Sequence, residues 1–299
     1  MSKLVFVLAL VLSGSLLSCV NSILTTSIKS RFFDVELPPQ AKDISEFQAQ
    51  ALMKRIGKTL VIVPEYISSS PVFTTFAFLE RQKVNEKESF LFDINRNQRK
   101  AVPIVLLHGF DSSCLEFRRL APLLNDQRDV YAVDILGWGF NEMRDVKDVS
   151  PMAKMEHLRC FIKQIVGGKC IVIGASLGGA LAITLAAESP ELVEKVVLID
   201  AQGFIDGKGP SDIPDGLARF GVNILKSWPL RMYANTIAYS DVKSHATWDA
   251  MLVGRLHCLV DSWEVSSVKF LKSGGFVMSS LVSKVKQPAL VIWGAQVIS

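Results

Sequence analysis

The apolar positions of this chain fall into two rhythms. Short, nearly continuous runs occur at Pro103–Leu107, Val130–Val133, Cys170–Ile173, Lys195–Ile199 and Ala289–Ile292, each stopped by His-Gly, Gly, Asp or Trp-Gly. Runs of four or five mostly apolar residues between turn signals predict strands buried on both faces, as in a parallel sheet. Between them lie stretches with helical spacing. Crossover helices are expected near 114–124, 152–166 and 177–189, and residues 41–57 show a further helical pattern through Ile44, Phe47, Ala51 and Ile56. Thr59–Val63 reads as a short strand. Val72–Leu79 and Ser89–Ile94 read as an antiparallel pair joined by the polar turn at 81–87.

From 203 to 285 the rhythm changes. Gly207-Lys208-Gly209-Pro210 and Ile213-Pro214-Asp215-Gly216 are loop chemistry, and helices are expected over 217–227, 230–238 and 244–261. The expected layout is therefore a core over 41–202, a helical lid over 203–285, and a second core part over 286–299.

Composition narrows the class. The 299 residues are 49% hydrophobic, enough for one large core. Lys and Arg number 33 against 29 acids, a net charge of +4 with no long basic block, so nothing points to nucleic acid. Five cysteines show no metal-ligand spacing, and no metal site is expected. Cys170 and Cys160 read as buried hydrophobes. Gly137-x-Gly139 lacks the third glycine of a dinucleotide site, and no cofactor is expected.

The first 22 residues stand apart. Lys3, the apolar run Leu4–Leu12 and the small-residue exit Val20-Asn21-Ser22 fit a cleaved secretory signal. An uncleaved anchor and a lipobox at Leu16–Cys19 are the rivals. The apolar density falls at Ser13, short of the roughly 20 residues that a span needs, so no stable membrane span is expected after cleavage. Residues 23–40 follow as a transit-like or disordered segment, with Ser, Thr, Lys29 and Arg31 but no acid before Asp34. Plastid delivery through the secretory route is the favoured destination, with secretion as the alternative.

The chemistry centres on Gly174-Ala175-Ser176-Leu177-Gly178-Gly179. An apolar strand enters a serine flanked by small residues, and a helix of good formers leaves it. This is the strand–turn–helix setting of a nucleophile elbow, with the helix start favouring a developing oxyanion. Upstream stand His108-Gly109-Phe110-Asp111 after one strand and Asp134-Ile135-Leu136-Gly137-Trp138-Gly139 after another.

This order of strand, HG-turn, D-x-x-G-x-G and elbow resembles the α/β-hydrolase family. H-G-F-D-S-S-C-L-E-F-R-R at 108–119, V-D-I-L-G-W-G-F at 133–140 and G-R-L-H-C-L at 254–259 resemble more closely a plastid-type group of such hydrolases in plants and algae. The resemblance implies an α/β fold, a mostly parallel sheet with helices on both faces and a helical lid. It implies Ser176 as nucleophile, the N–H groups of Phe110 and Leu177 as oxyanion hole, and His108 as a brace of the oxyanion loop, with Gly109 beside it in the substrate-binding region. Lid residues such as Trp228 and Met232 would line a pocket for the apolar part of a small ester or thioester.

Two members of the triad have no obvious seat. Where family members carry an acid after Trp-Gly, the sequence reads Trp293-Gly294-Ala295-Gln296. Asp200, after the preceding strand, is the fallback acid. No histidine follows the Trp293 strand, and the remaining candidates are His157, His245 and His257. The expectation is a hydrolase lacking its last strand and helix, truncated before its triad histidine and impaired for that reason. A non-catalytic ligand-binding protein on the same fold is the alternative, and C–C bond hydrolysis is a third reading.

Overall fold

The computed structural model describes residues 32–82, 101–203, 206–208 and 211–295. The signal, residues 23–31 of the transit-like segment, and the strand expected at 89–94 lie outside the described residues. Seven strands form one sheet: β1 (Ile56–Val61), β2 (Val72–Leu79), β3 (Ile104–Leu107), β4 (Val130–Val133), β5 (Cys170–Ala175), β6 (Val193–Ile199) and β7 (Ala289–Ile292). Their order is β1-β2-β4-β3-β5-β6-β7. β1 and β2 run antiparallel, β2 joins β4 antiparallel, and the pairings from β4 to β7 are parallel.

The central strands β3 and β4 are buried at every position, as their unbroken apolar sequence requires. Among the described strands, the sheet opens on the antiparallel pair β1 and β2. β2 pairs with β1 through Val72–Ala77 on one side and with β4 through Phe76–Leu79 on the other.

The helices are α1 (Phe47–Met53), α2 (Pro151–Phe161), α3 (Leu177–Glu188), α4 (Asp215–Leu225), α5 (Trp228–Ala238), α6 (Trp248–Leu256) and α7 (Trp263–Ser273), with shorter turns between them. The pattern at 41–57 yields a 3-10 turn at Pro39–Asp43 and the short α1, because β1 already begins at Ile56. The span 114–124 is a 3-10 turn, Cys114–Arg118, then one α-turn, Ala121–Leu124, with a Pro at its start. α2 is capped by Ser150, whose side chain accepts from the Ala153 N–H; it passes into a π-turn at Ile162–Val166 and stops at Gly167, φ 77°. α3 buries every residue from Leu177 to Ala186, and its small side chains let it lie close on the sheet.

Between β6 and β7 the chain builds a helical insertion. The helix expected over 244–261 is divided: Thr247 caps α6 by accepting from the Ala250 N–H, and α6 ends in a 3-10 turn at His257–Leu259. α7 was not anticipated. The two ends of the insertion meet. The carboxylate of Asp206 accepts from the N–H groups of Met278 (2.6 Å) and Ser279 (2.9 Å) and from the Ser279 hydroxyl. The Gly207 N–H donates to the Phe276 carbonyl at 2.6 Å. A Cβ on Gly207 would lie 2.0 Å from the Gly274 carbonyl oxygen, so only glycine permits this approach. β7 ends the sheet among the described strands, and all four of its residues are exposed.

Candidate active site

Three turns at the carboxyl ends of β3, β4 and β5 make the site. At the elbow, Ser176 has φ 49° and ψ −117°, a conformation that non-glycine residues adopt only when their surroundings enforce it. β6 does the enforcing. The Ser176 N–H donates to the Ile199 carbonyl at 3.0 Å, and the Ser176 carbonyl accepts from the Gln202 N–H at 3.0 Å. The glycines are obligatory on contact grounds. A Cβ on Gly174 would meet the Gly178 carbonyl oxygen at 2.2 Å, one on Gly178 the Leu107 oxygen at 2.1 Å, and one on Gly179 the Ala201 Cβ at 2.3 Å. Ser176 is exposed.

The second turn, 108–111, lies beside the elbow: a Cβ on Gly109 would touch the Ser176 Cβ at 3.5 Å. His108 is fully buried. Its Nε2 accepts from the Ile135 N–H (3.0 Å) and its Nδ1–H donates to the Gly109 carbonyl (2.8 Å). Burial lowers its pKa to about 3, so it is a neutral brace with both nitrogens engaged and no face left for a substrate. The Gly109 N–H donates to Glu116 Oε2 at 2.9 Å. The N–H groups of Phe110 and Leu177 have no acceptor among the described residues. Phe110 is half exposed and packs edge-on against Trp138, with ring centres 5.2 Å apart.

The third turn, 134–140, is tied to the second by Asp134. This buried carboxylate accepts from the N–H groups of Cys114 (2.6 Å) and Phe140 (2.8 Å). Gly139, φ 63°, lies so close that a Cβ there would sit 2.0 Å from the Asp134 carboxyl carbon. Lys154 rises beneath the turn, fully buried, donates to the Leu136 carbonyl and holds its Nζ 3.8 Å from the centre of the Trp138 ring, while burial pushes its pKa well below the ordinary lysine value.

The remaining histidines have other partners. His157 is buried, with Nε2 2.7 Å from the Thr74 hydroxyl. His245 is exposed and stacks on Tyr239. His257 is fully buried with Nε2 3.0 Å from Asp111 Oδ1, and its Nδ1 has no partner. Burial pushes its pKa down against the pull of the Asp111 charge. Ser176 Oγ has no hydrogen-bond partner among the described residues. Asp200, φ 42°, accepts from the Gly294 N–H at 2.7 Å and so joins the ends of β6 and β7, with no imidazole against it. Trp228 is exposed and packs against Trp248 at 6.1 Å, and Met232 is half-buried on α5. A cavity of about 640 Å³ opens elsewhere, between Lys58, Asn141, Arg144, Val149 and Lys269.

The Asp111–His257 contact joins residues 146 positions apart. Its one trace in the sequence is that H-G-F-D and G-R-L-H-C-L belong to the same family resemblance.

Residues 104–294 match the model of the alpha/beta hydrolase family. The chain belongs to that family. The alpha/beta hydrolase domain-containing protein VTE7 of Arabidopsis thaliana is 38% identical over 192 residues, which are 64% of this chain and 58% of that protein. The chain thus spans less than two thirds of this relative's length. An esterase of Mycobacterium tuberculosis is 41% identical over 97 residues, 32% of each protein. Among solved structures, a meta-cleavage product hydrolase from Pseudomonas fluorescens IP01 superposes with a TM-score of 0.57 at 17% identity, covering 79% of this chain and 83% of that one; at such identity the likeness concerns the fold. No helix among the described residues is long and apolar enough to cross a membrane.

Proposed function

We propose that the chain is the scaffold of a serine hydrolase for ester or thioester substrates with an apolar part. The strained Ser176 elbow beside two unengaged N–H groups carries this reading. Ser176 Oγ would attack the acyl carbon, and the oxyanion would accept from Phe110 and Leu177 N–H. Collapse of the tetrahedral species would expel the alcohol or thiol and leave an acyl-enzyme for water to cleave. The esterase relative and the family favour acyl transfer, and the exposed Trp228 with Met232 offers apolar surface on the insertion.

Attack requires a base for the Ser176 proton, and no described imidazole touches it. Turnover by this chain should therefore rest on the oxyanion hole and binding alone, worth about 10³–10⁴ over water. That same vacancy beside Ser176 favours the second reading, a ligand-binding protein on the hydrolase fold. Hydrolysis of p-nitrophenyl butyrate by the chain and by Ser176→Ala separates them. Slow turnover that Ser176→Ala abolishes supports the hydrolase. Equal background in both supports the binding protein, and esterase-like rates would place a base at the serine after all.

A further inference from the structure

Asp111 is the residue after Phe110, and it is 5% exposed at φ 50°. Its Oδ1 faces His257 Nε2 (3.0 Å) and accepts from Trp263 Nε1 (2.6 Å). Its Oδ2 accepts from Arg231 Nη2, and its main-chain carbonyl accepts from Arg231 Nη1 at 3.2 Å. Arg231 lies on α5, His257 in the turn after α6, and Trp263 at the start of α7. Arg231 Nε also donates to the Leu225 carbonyl at the end of α4 (2.8 Å), so α5, the turn after α6 and the start of α7 meet at one carboxylate, and Arg231 ties α4 to them. Asp111, His257 and Cys258 lie within 4.8 Å, a grouping suited to a metal. The Arg231 guanidinium already fills that role, since Nη2 bonds Asp111 and lies 2.8 Å from Cys258 Sγ.

The turn bearing Phe110 is therefore held at two points. Glu116 takes the Gly109 N–H on the core side, and the insertion takes Asp111 on the other. A non-glycine residue at positive φ keeps that conformation only while its surroundings impose it. We propose that Asp111 is a positioning residue that couples docking of the helical insertion to the aim of the Phe110 N–H, so that the oxyanion hole is complete only when α5–α7 are seated. Movement of the insertion to admit substrate loosens the hole, and its return reassembles it. The catalytic side of this inference rests on the hydrolase reading; the coupling does not.

The test uses the whole chain with Arg231→Met, which keeps length but removes every donor, and Arg231→Lys, which restores charge. Hydrogen exchange is followed by mass spectrometry. Arg231→Met should raise exchange about tenfold in 108–113 together with 228–238, and leave 170–186 unchanged. On p-nitrophenyl butyrate kcat should fall about 10- to 100-fold with KM nearly constant, and Arg231→Lys should recover part of it. Unchanged exchange at 108–113 while 228–238 loosens, or kcat falling only with the folded fraction, overturns the proposal. If Ser176→Ala leaves wild-type turnover intact, the hydrolase reading fails, and the exchange result still decides the coupling. Should Arg231→Met not fold, Asp111→Asn, which keeps the shape and loses the charge, is read the same way.

Discussion

Gly178→Ala tests the elbow most directly. The new Cβ would sit 2.1 Å from the Leu107 carbonyl oxygen and 2.6 Å from that of His108, more than an ångström inside an ordinary contact in the first case. Both obstacles are main chain, so no rotamer change relieves them. β3 cannot withdraw, because Leu107 is paired with Val133 of β4 on one side and Gly174 of β5 on the other. α3 cannot lift, because Gly179 rests against Ala201. Overpacking of a site that cannot yield costs about 3 kcal/mol or more. For a domain of this size that lowers Tm by about 6–12 °C. Gly254→Ala is the opposite case. Gly254 lies inside α6, and its Cβ would meet nothing within 4 Å. Replacing a helix-interior glycine should add about 1 kcal/mol, or roughly 2–4 °C. Circular-dichroism melts of the two variants and the parent, at one concentration, give the comparison. A Gly178→Ala melt within 2 °C of the parent, or shifts of the same sign in both variants, would refute the contact argument.

Other outcomes follow from the same structure. Burial opposes ionisation of Asp111, but His257, Arg231 and Trp263 outweigh it and hold its pKa at about 2 against an ordinary 3.8. Its charge should thus contribute about 2 kcal/mol that is full above pH 4 and is lost as pH falls towards 2, a loss that urea melts of Asp111→Asn should not show. The exposed β7 edge, with Leu290, Val291 and Ile292, should drive association, and Val291→Lys should lower light scattering on mild heating; equal scattering would clear the edge. Residues 1–45 fused to a fluorescent protein in an algal cell should enter the secretory route, with a plastid as the favoured end point, and should lose residues 1–22; cytosolic signal with Met1 or Ser2 retained contradicts both halves.

The parallel strands were legible because burial on both faces writes itself as an unbroken apolar run, and the observed β3, β4 and β7 fall within a residue of those runs. The elbow was legible because its geometry admits only small residues at fixed offsets from Ser176. β1 began earlier than its apolar core suggested, since Ile56–Lys58 pair with β2 through backbone bonds that side-chain pattern does not reveal. The division of 244–261 hinged on one cap, Thr247. The Asp111 cluster was hidden for another reason: charged and polar groups separated by more than a hundred residues carry no periodicity, and only tertiary packing brings them together.

The stem at Asp206 makes the helical insertion a nearly closed excursion, leaving and rejoining the core within a few ångströms. Its ends would stay together across a two- or three-residue linker. The core strands on either side, β6 and β7, are already paired with each other and do not need the excursion to find their register. Such an arrangement separates two lineages of change within one polypeptide. The helices can be exchanged, lengthened or redrawn for a new ligand while the sheet below keeps its sequence, provided the newcomer supplies partners for Asp111.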